Sequence, residues 1–405
     1  MHATRKACFA LALLLCALPG RAAVAPTGRE LPISSATRQQ HPSAAYMGSR
    51  AVIAWEDVTG VVMRAYDPAG RAVSAATQLA ANDPLPEVPF LIVRKEQHEP
   101  VIAVRGNGFV AAWVEQTIHY RSDFFYERRD LLASSVMVRL FDGNGTAQVR
   151  SWQVAGGDGV VSRPAIVAQG NGYWVVWQQV GGSTPGIHLS RLDDHAKPGL
   201  EVAVSSGGVR PALAAADNRL LVAWQQCCGT APVKNEVFAR LIDLDGTPHG
   251  SPFVVSTGGV HSEQPAVVAG NGGEFLVASQ RSPDGRHAHV YGQLVSSQGA
   301  FLGHEITLSS GTGDHGSPHL AAIPGGYLAT WSLWFGTFPS AVVGAAFDGL
   351  GNARGDAFRI SQGRLMGPYT PALAAGPGGK LLAVWEGRDE SKQLALRGRA
   401  LQAEP

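Results

Sequence analysis

An anchor proline recurs seven times along the chain, followed in six copies by a tryptophan thirteen or fourteen residues later, and nothing else in the sequence restricts the fold so tightly. The prolines are Pro42, Pro100, Pro164, Pro211, Pro265, Pro318 and Pro371. The second positions are Trp55, Trp113, Trp177, Trp224, Ser279, Trp331 and Trp385, so one copy alone has lost its indole. The prolines stand 47 to 64 residues apart, a period that belongs to arrays of small supersecondary units. Inside a unit, two short apolar runs flank a glycine turn, as in Ala165 to Ala168, Gly170-Asn171-Gly172 and Tyr173 to Trp177. That pattern reads as a β-hairpin. A third strand follows at 61–66, 136–141, 187–192, 237–242, 290–295 and 342–347, closing in turns such as Asp67 to Gly70 and Asp142 to Gly145. Fourth strands are marked by Glu201 to Ser205 and Glu305 to Ser309. Four strands per unit is the blade of a β-propeller, and seven units predict an all-β, single seven-bladed propeller.

The seventh unit stops after its third strand, near Leu401, and its missing fourth strand has a match at the other end of the chain. Residues 30–35, beginning Glu30-Leu31-Pro32-Ile33-Ser34, copy the fourth-strand pattern and lead into Pro42. They are expected to complete the last blade and hide its open edge. Composition agrees with this reading. Forty-nine glycines and 25 prolines beside only 16% charged residues exclude a helical bundle, and 45% hydrophobic residues exclude disorder.

Ahead of the repeats, Arg5 and Lys6 precede an apolar run over 7–18, then Pro19-Gly20 and the small residues Ala22, Ala23 and Ala25. These are the parts of a secretory signal peptide, expected over 1–25, with the propeller over 26–405. The run is too short to span a bilayer, and no other stretch reaches that length. Cys16 follows Leu15 rather than a small residue, a poor lipoprotein site. The mature chain is expected to be secreted or periplasmic. A net charge of +1 provides no footprint for nucleic acid or an anionic membrane.

The segment Val290-Tyr291-Gly292-Gln293-Leu294, Gly299, Gly303-His304-Glu305-Ile306, Ser317-Pro318, Gly325 to Trp331 resembles a repeat found in secreted bacterial proteins, large adhesins among them. The likeness covers nearly all of 30–401. It implies a propeller and export, and leaves activity open. Neither an Asp-box of the sialidase type nor a Trp-Asp repeat is present.

Tryptophans and prolines that repeat around a ring are packing residues between blades. Arg64, Arg139 and Arg240 share one third-strand position and are expected to pair between blades. Function is expected on the face that carries the strand two-to-three loops, whose lengths vary most. The residues before the anchor prolines, His41, Glu99, Arg163, Arg210, Gln264, Ser317 and Thr370, should ring the channel there. Arg163 and Arg210, on adjacent blades, are candidates to grip an anionic group. The residues after the tryptophan position include Glu56 and Glu386 on adjoining blades. With Glu99, they are the candidates for acid/base chemistry on a glycosidic bond, set against a solvated rim. Loops at 116–135 and 332–340 carry Tyr120, Phe124 and Trp334, which suit stacking on sugar rings or on a protein partner, or packing on one another.

Cys227 and Cys228 are the cysteines that remain after leader removal, and in an oxidising compartment a strained vicinal disulfide between them competes with two free thiols. His287, His289, His315 and His319 show no third ligand at useful spacing, so isolated surface histidines are expected, with no metal and no cofactor. The function these features point to is recognition of carbohydrate or another surface polymer. A glycan-cleaving hydrolase or lyase and a protein-interaction scaffold are the alternatives.

Overall fold

The structure is a computed structural model that describes residues 23–34, 39–84, 92–122, 127–216, 218–228, 234–256, 261–283, 285–336, 338–362, 371–388 and 394–404. It forms seven antiparallel sheets, one per repeat, six of them with their strands in sequence order and the seventh completed by strands from the N-terminal end. The seven innermost strands start at Gln40, Ile92, Val160, Val209, His261, Asp314 and Ala372. Each packs on the next, and the last returns to the first, so the sheets close into a ring. The chain is a seven-bladed β-propeller. Among the described residues, no helix is long and apolar enough to cross a membrane.

The alternation of each strand sends one set of apolar side chains toward the preceding blade and the other toward the following one. The core is therefore a series of sandwiches between neighbours. Val52, Ala54, Val61 and Met63 of blade one meet Ile102, Phe109, Ala111 and Trp113 of blade two. The anchor tryptophans lie inside these seams and are almost wholly buried. Where the fifth blade has Ser279, Tyr291 stands directly opposite on the third strand.

The last blade is closed by the chain's N-terminal end, in two pieces. Val24–Pro26 and Leu31–Pro32 both pair antiparallel with the strand Leu394–Ala403, in the registers Val24 to Ala403 and Leu31 to Gly398. Ile33 donates its N–H to the Leu396 carbonyl at 2.9 Å. Ala23 and Val24 enter the seam between blades six and seven, while Ile33 enters the seam between seven and one. This thread locks both sides of the joint. Val24 is only 1% exposed, and a cut after residue 25 would remove a strand of the fold.

The strand two-to-three segment of blade two is no irregular loop. Strands Ile92–Arg105, Gly108–Ser122 and Glu127–Asp142 all run on beyond the ring as a three-stranded tongue, with Tyr120 opposite both Ile92 and Arg129. In blade six, Gly326–Phe335 and Phe338–Asp348 likewise continue as a hairpin. Arg64, Arg139 and Arg240 act mainly within their own blades, donating Nε to the carbonyls of Ser74, Val149 and Gly250. Arg240 alone of the three also reaches the preceding blade, at the Val204 carbonyl.

Truncating Ile33→Ala is expected to destabilise the ring by about 2–5 kcal/mol in urea unfolding, as for a buried aliphatic side chain. N-terminal sequencing of exported protein is expected to begin no later than Ala23.

Candidate functional site

Six of the seven innermost strands enter their blades through a kink. The register of the first strand on the second slips at Gln40/Ser43, His98/Val101, Ser162/Ala165, Val209/Ala212, Glu263/Ala266 and Gly316/His319. Inside every slip, the residue ahead of the anchor proline has a left-handed backbone. The φ values are +52° at His41, +51° at Glu99, +56° at Arg163 and Arg210, +54° at Gln264 and +51° at Ser317. None is glycine, and such a conformation costs on the order of 1–3 kcal/mol per residue. The following proline further disfavours helical-type backbone at these positions. Thr370 lies outside the described residues.

The bulge frees a backbone N–H, and at five joints the neighbouring blade supplies its acceptor. His41 N–H donates to Glu386 Oε1 at 2.6 Å, and Glu99 N–H to Glu56 Oε2 at 3.2 Å. Arg210 N–H donates to Gln178 Oε1 at 2.6 Å, and Gln264 N–H to Gln225 Oε1 at 3.3 Å. In blade two the residue after the tryptophan is Val114, which offers no side-chain acceptor. There Glu99 Oε2 takes the Arg163 N–H at 2.6 Å instead. The two sets of residues that the sequence places on the rim are thus the two halves of one interblade clasp.

Glu56 is the most heavily engaged of them. Besides the Glu99 N–H, it accepts from Gln40 Nε2 at 2.7 Å and meets His41 Nδ1 and His98 Nδ1, each at 3.0 Å. Burial opposes its charge, but the hydrogen bonds from the two imidazoles hold its carboxyl far below the usual carboxylate range. His41 is raised in return: burial works against its charge, and the contact with Glu56 outweighs it. Glu386 moves the other way. Burial pushes it up, and the Glu56 charge adds to that. Glu56 and Glu386 are 6% and 8% exposed, so neither stands open on the rim.

From His98 the network continues into the tongue. Glu96 sits 3.5 Å from His98 Nε2, accepts the Tyr120 hydroxyl at 2.5 Å and pairs with Arg129 Nη2 at 2.7 Å. The Arg94 and Arg129 guanidiniums lie 5.8 Å and 5.3 Å from the Tyr120 ring centre. Tyr120 is therefore an organising residue of the tongue, with cations on its ring, and not a free stacking platform. Phe124 lies outside the described residues. Trp334 is half-buried with its indole N–H unpartnered, and Phe335 beside it is exposed. His98, Glu96, Arg94 and Arg129 escape a reading of the sequence, although His98 directly precedes the kinked Glu99.

Arg163 and Arg210 remain the open groups. The Arg163 side chain is 46% exposed, with Glu99 Oε1 3.6 Å from its Nε, and Arg210 is exposed on the next blade. Partial desolvation and the Arg163 charge lower the Arg210 guanidinium below its usual value. Two like charges held this close favour an anion between them.

Cys227 is an exposed free thiol near the end of the strand Arg219–Cys228, where the extended backbone pairs Cys227 with Asn235. The Cys228 side chain, the other half of the expected vicinal bridge, lies outside the described residues. Neighbouring Cα atoms, about 3.8 Å apart across a trans peptide, lie closer than a disulfide ordinarily takes. The turn aspartates act as turn residues, Asp142 Oδ1 accepting the Asn144 and Thr146 N–H groups. His315 departs from expectation, because it is buried and touches His289.

No protein-family model matches the chain, and no curated protein matches it. Among solved structures, a Dyadobacter fermentans protein of unknown function is similar over 96% of this chain and 100% of its own, at 10% identity and a TM-score of 0.55. An α-L-arabinofuranosidase from Fusarium graminearum, complexed with an iminosugar inhibitor, is similar over 93% and 98%, at 12% identity and a TM-score of 0.52. At these identities the likeness establishes the propeller fold alone.

Glu56→Gln is expected to destabilise the protein by about 1–3 kcal/mol near neutral pH, because buried donors lose a charged acceptor. The folded Glu56 carboxyl lies below its ordinary 4.5, so its contribution is present above that pH and is withdrawn as the pH falls toward the folded value. Urea unfolding from pH 7 to pH 3 should show the wild type and Glu56→Gln converging below about pH 4.5.

Proposed function

We propose that the protein is an exported recognition module. It binds an anionic carbohydrate or another acidic surface polymer on the face that carries the kinked residues. The observation that carries this reading is a division of labour on that face. Glu56 and Glu386 are buried in interblade hydrogen bonds, while the guanidiniums of Arg163 and Arg210 stay exposed on adjacent blades. Forked donors side by side recognise carboxylate or sulfate groups. Trp334 and the exposed Phe335 offer aromatic surface on the same face for the sugar ring. The arabinofuranosidase neighbour acts on a sugar in a propeller of this kind, which is consistent with a glycan ligand and no more than that.

One observation favours cleavage as the second reading. Glu56 and Glu386 both contact His41, and their carboxyls are shifted in opposite directions, the arrangement that separates an acid from a base. Against it, both carboxylates are nearly closed to solvent.

The discriminating experiment is a glycan array probed with the mature protein, followed by product analysis of every bound glycan. Binding to acidic glycans without cleavage is expected, weakened at least tenfold by Arg163→Ala or Arg210→Ala and by raised salt. Cleavage that Glu386→Gln abolishes while binding persists would establish the hydrolase or lyase. Silence across acidic and neutral glycans would remove both readings.

A further inference from the structure

The seam between blades five and six contains a concentration of polar atoms with no partner. Gln280 Oε1, His289 Nδ1, both ring nitrogens of His315, and the indole N–H groups of Trp331 and Trp334 are buried and make no hydrogen bond. Gln280 lies against Gly316, next to His315 in the chain. His315 is 3% exposed and stacks on Trp331 with ring centres 6.0 Å apart. The Thr312 backbone approaches its ring on the acceptor side and favours the charged form, against the larger effect of burial. His289 lies beside it, with ring centres 5.0 Å apart and planes tilted by 51°.

The backbone holds this pair in place. His315 N–H donates to the Ala288 carbonyl at 2.7 Å, and Ala288 N–H donates to Asp314 Oδ1 at 3.0 Å. Each blade therefore fixes the other's histidine.

We propose that His289 and His315 bind one divalent transition-metal ion in this seam. Imidazole is the ligand such ions take most often. A buried imidazole with neither nitrogen bonded is otherwise a costly arrangement. Two imidazoles bound to one tetrahedral zinc through nitrogens about 2.0–2.1 Å from the metal place their ring centres about 5 Å apart, close to the separation seen here. Burial and the neighbouring His289 lower the His315 pKa, so its ring is neutral and able to coordinate at neutral pH. Asp314 and the exposed His287, 3.7 Å apart, stand at the outer side of the pair and give a cation an approach. Nitrogen donors without thiolate select zinc, nickel or copper(II) over magnesium or calcium. Water or a ligand completes the coordination.

The test is equilibrium dialysis of the untagged full chain against zinc, with metal analysis, repeated with cobalt for its visible absorption. About one ion per chain is expected, with cobalt giving tetrahedral-type absorption bands. His289→Gln, at the more open position, should weaken binding about 10- to 100-fold, and His315→Ala should abolish it where circular dichroism shows the fold intact. His195→Ala breaks the exposed Asp193, Asp194 and His195 group and should change nothing. A wild type that retains no ion, or an ion retained undiminished in His289→Gln, would overturn the proposal. Loss in His195→Ala alone would do the same.

Discussion

The ring depends on one backbone N–H per blade. A bulge in six of the seven innermost strands forces a side-chain-bearing residue into the left-handed region just before a proline, and the amide it frees is aimed at the neighbouring blade. An amide left unpaired there costs as much as a lost hydrogen bond. At five joints the amide finds an acceptor on the neighbouring blade, and the residue after the tryptophan supplies it at four of them. The exception clarifies the rule. Val114 cannot accept, and Glu99 turns its own carboxylate to the Arg163 amide. What is fixed is the need of the donor; the identity and position of the acceptor are free to move.

That constraint decides which polar residues are available for chemistry. Glu56 has the residue type and the place expected of a catalyst, yet its oxygens are occupied by Gln40, His41, His98 and the Glu99 amide. A carboxylate so well solvated by fixed donors is a stable anion and a poor proton donor. Arg163 and Arg210 commit their backbone to the clasp and keep their guanidiniums exposed, that of Arg163 beside Glu99. The same kink thus builds the scaffold with its amide and presents a side chain on the working face.

Much of the architecture could be read in the sequence because it is periodic and local. The prolines, tryptophans and glycine turns recur, and the fourth-strand pattern at Glu30 to Ser34 matches a gap at the far end. The site was less legible, for two physical reasons. Contacts across a sheet and between blades join residues far apart in sequence: Tyr120 lies between Arg94 and Arg129 of its own blade, and His289 meets His315 of the next, pairings that no spacing announces. The tongue was also obscured, since Ile118-His119-Tyr120-Arg121 looks like loop composition yet pairs as strand, with cations and a buried carboxylate satisfying it. Glu56 and Glu386 carry a different lesson. Their recurrence at one position of the repeat is the mark of a structural role, as it is for the tryptophans beside them.

A repeat protein solves the same packing problem at every joint, so departures from the common solution are where other pressures act. The fifth blade departs twice. Ser279 replaces the indole, with Tyr291 opposite it, and Gln280, at the clasp position, leaves its Oε1 without a partner. In that same seam two imidazoles meet at a tilt of 51°, and one of them, His315, stacks on Trp331. At the joint between blades three and four, by contrast, Gln178 accepts the Arg210 amide, and His188 of blade three stacks on Trp177 with Thr184 and Glu201 as ring partners. The contrast between a satisfied histidine and an unsatisfied pair, within one repeating frame, makes the seam between blades five and six a place where something other than the scaffold completes the polar groups.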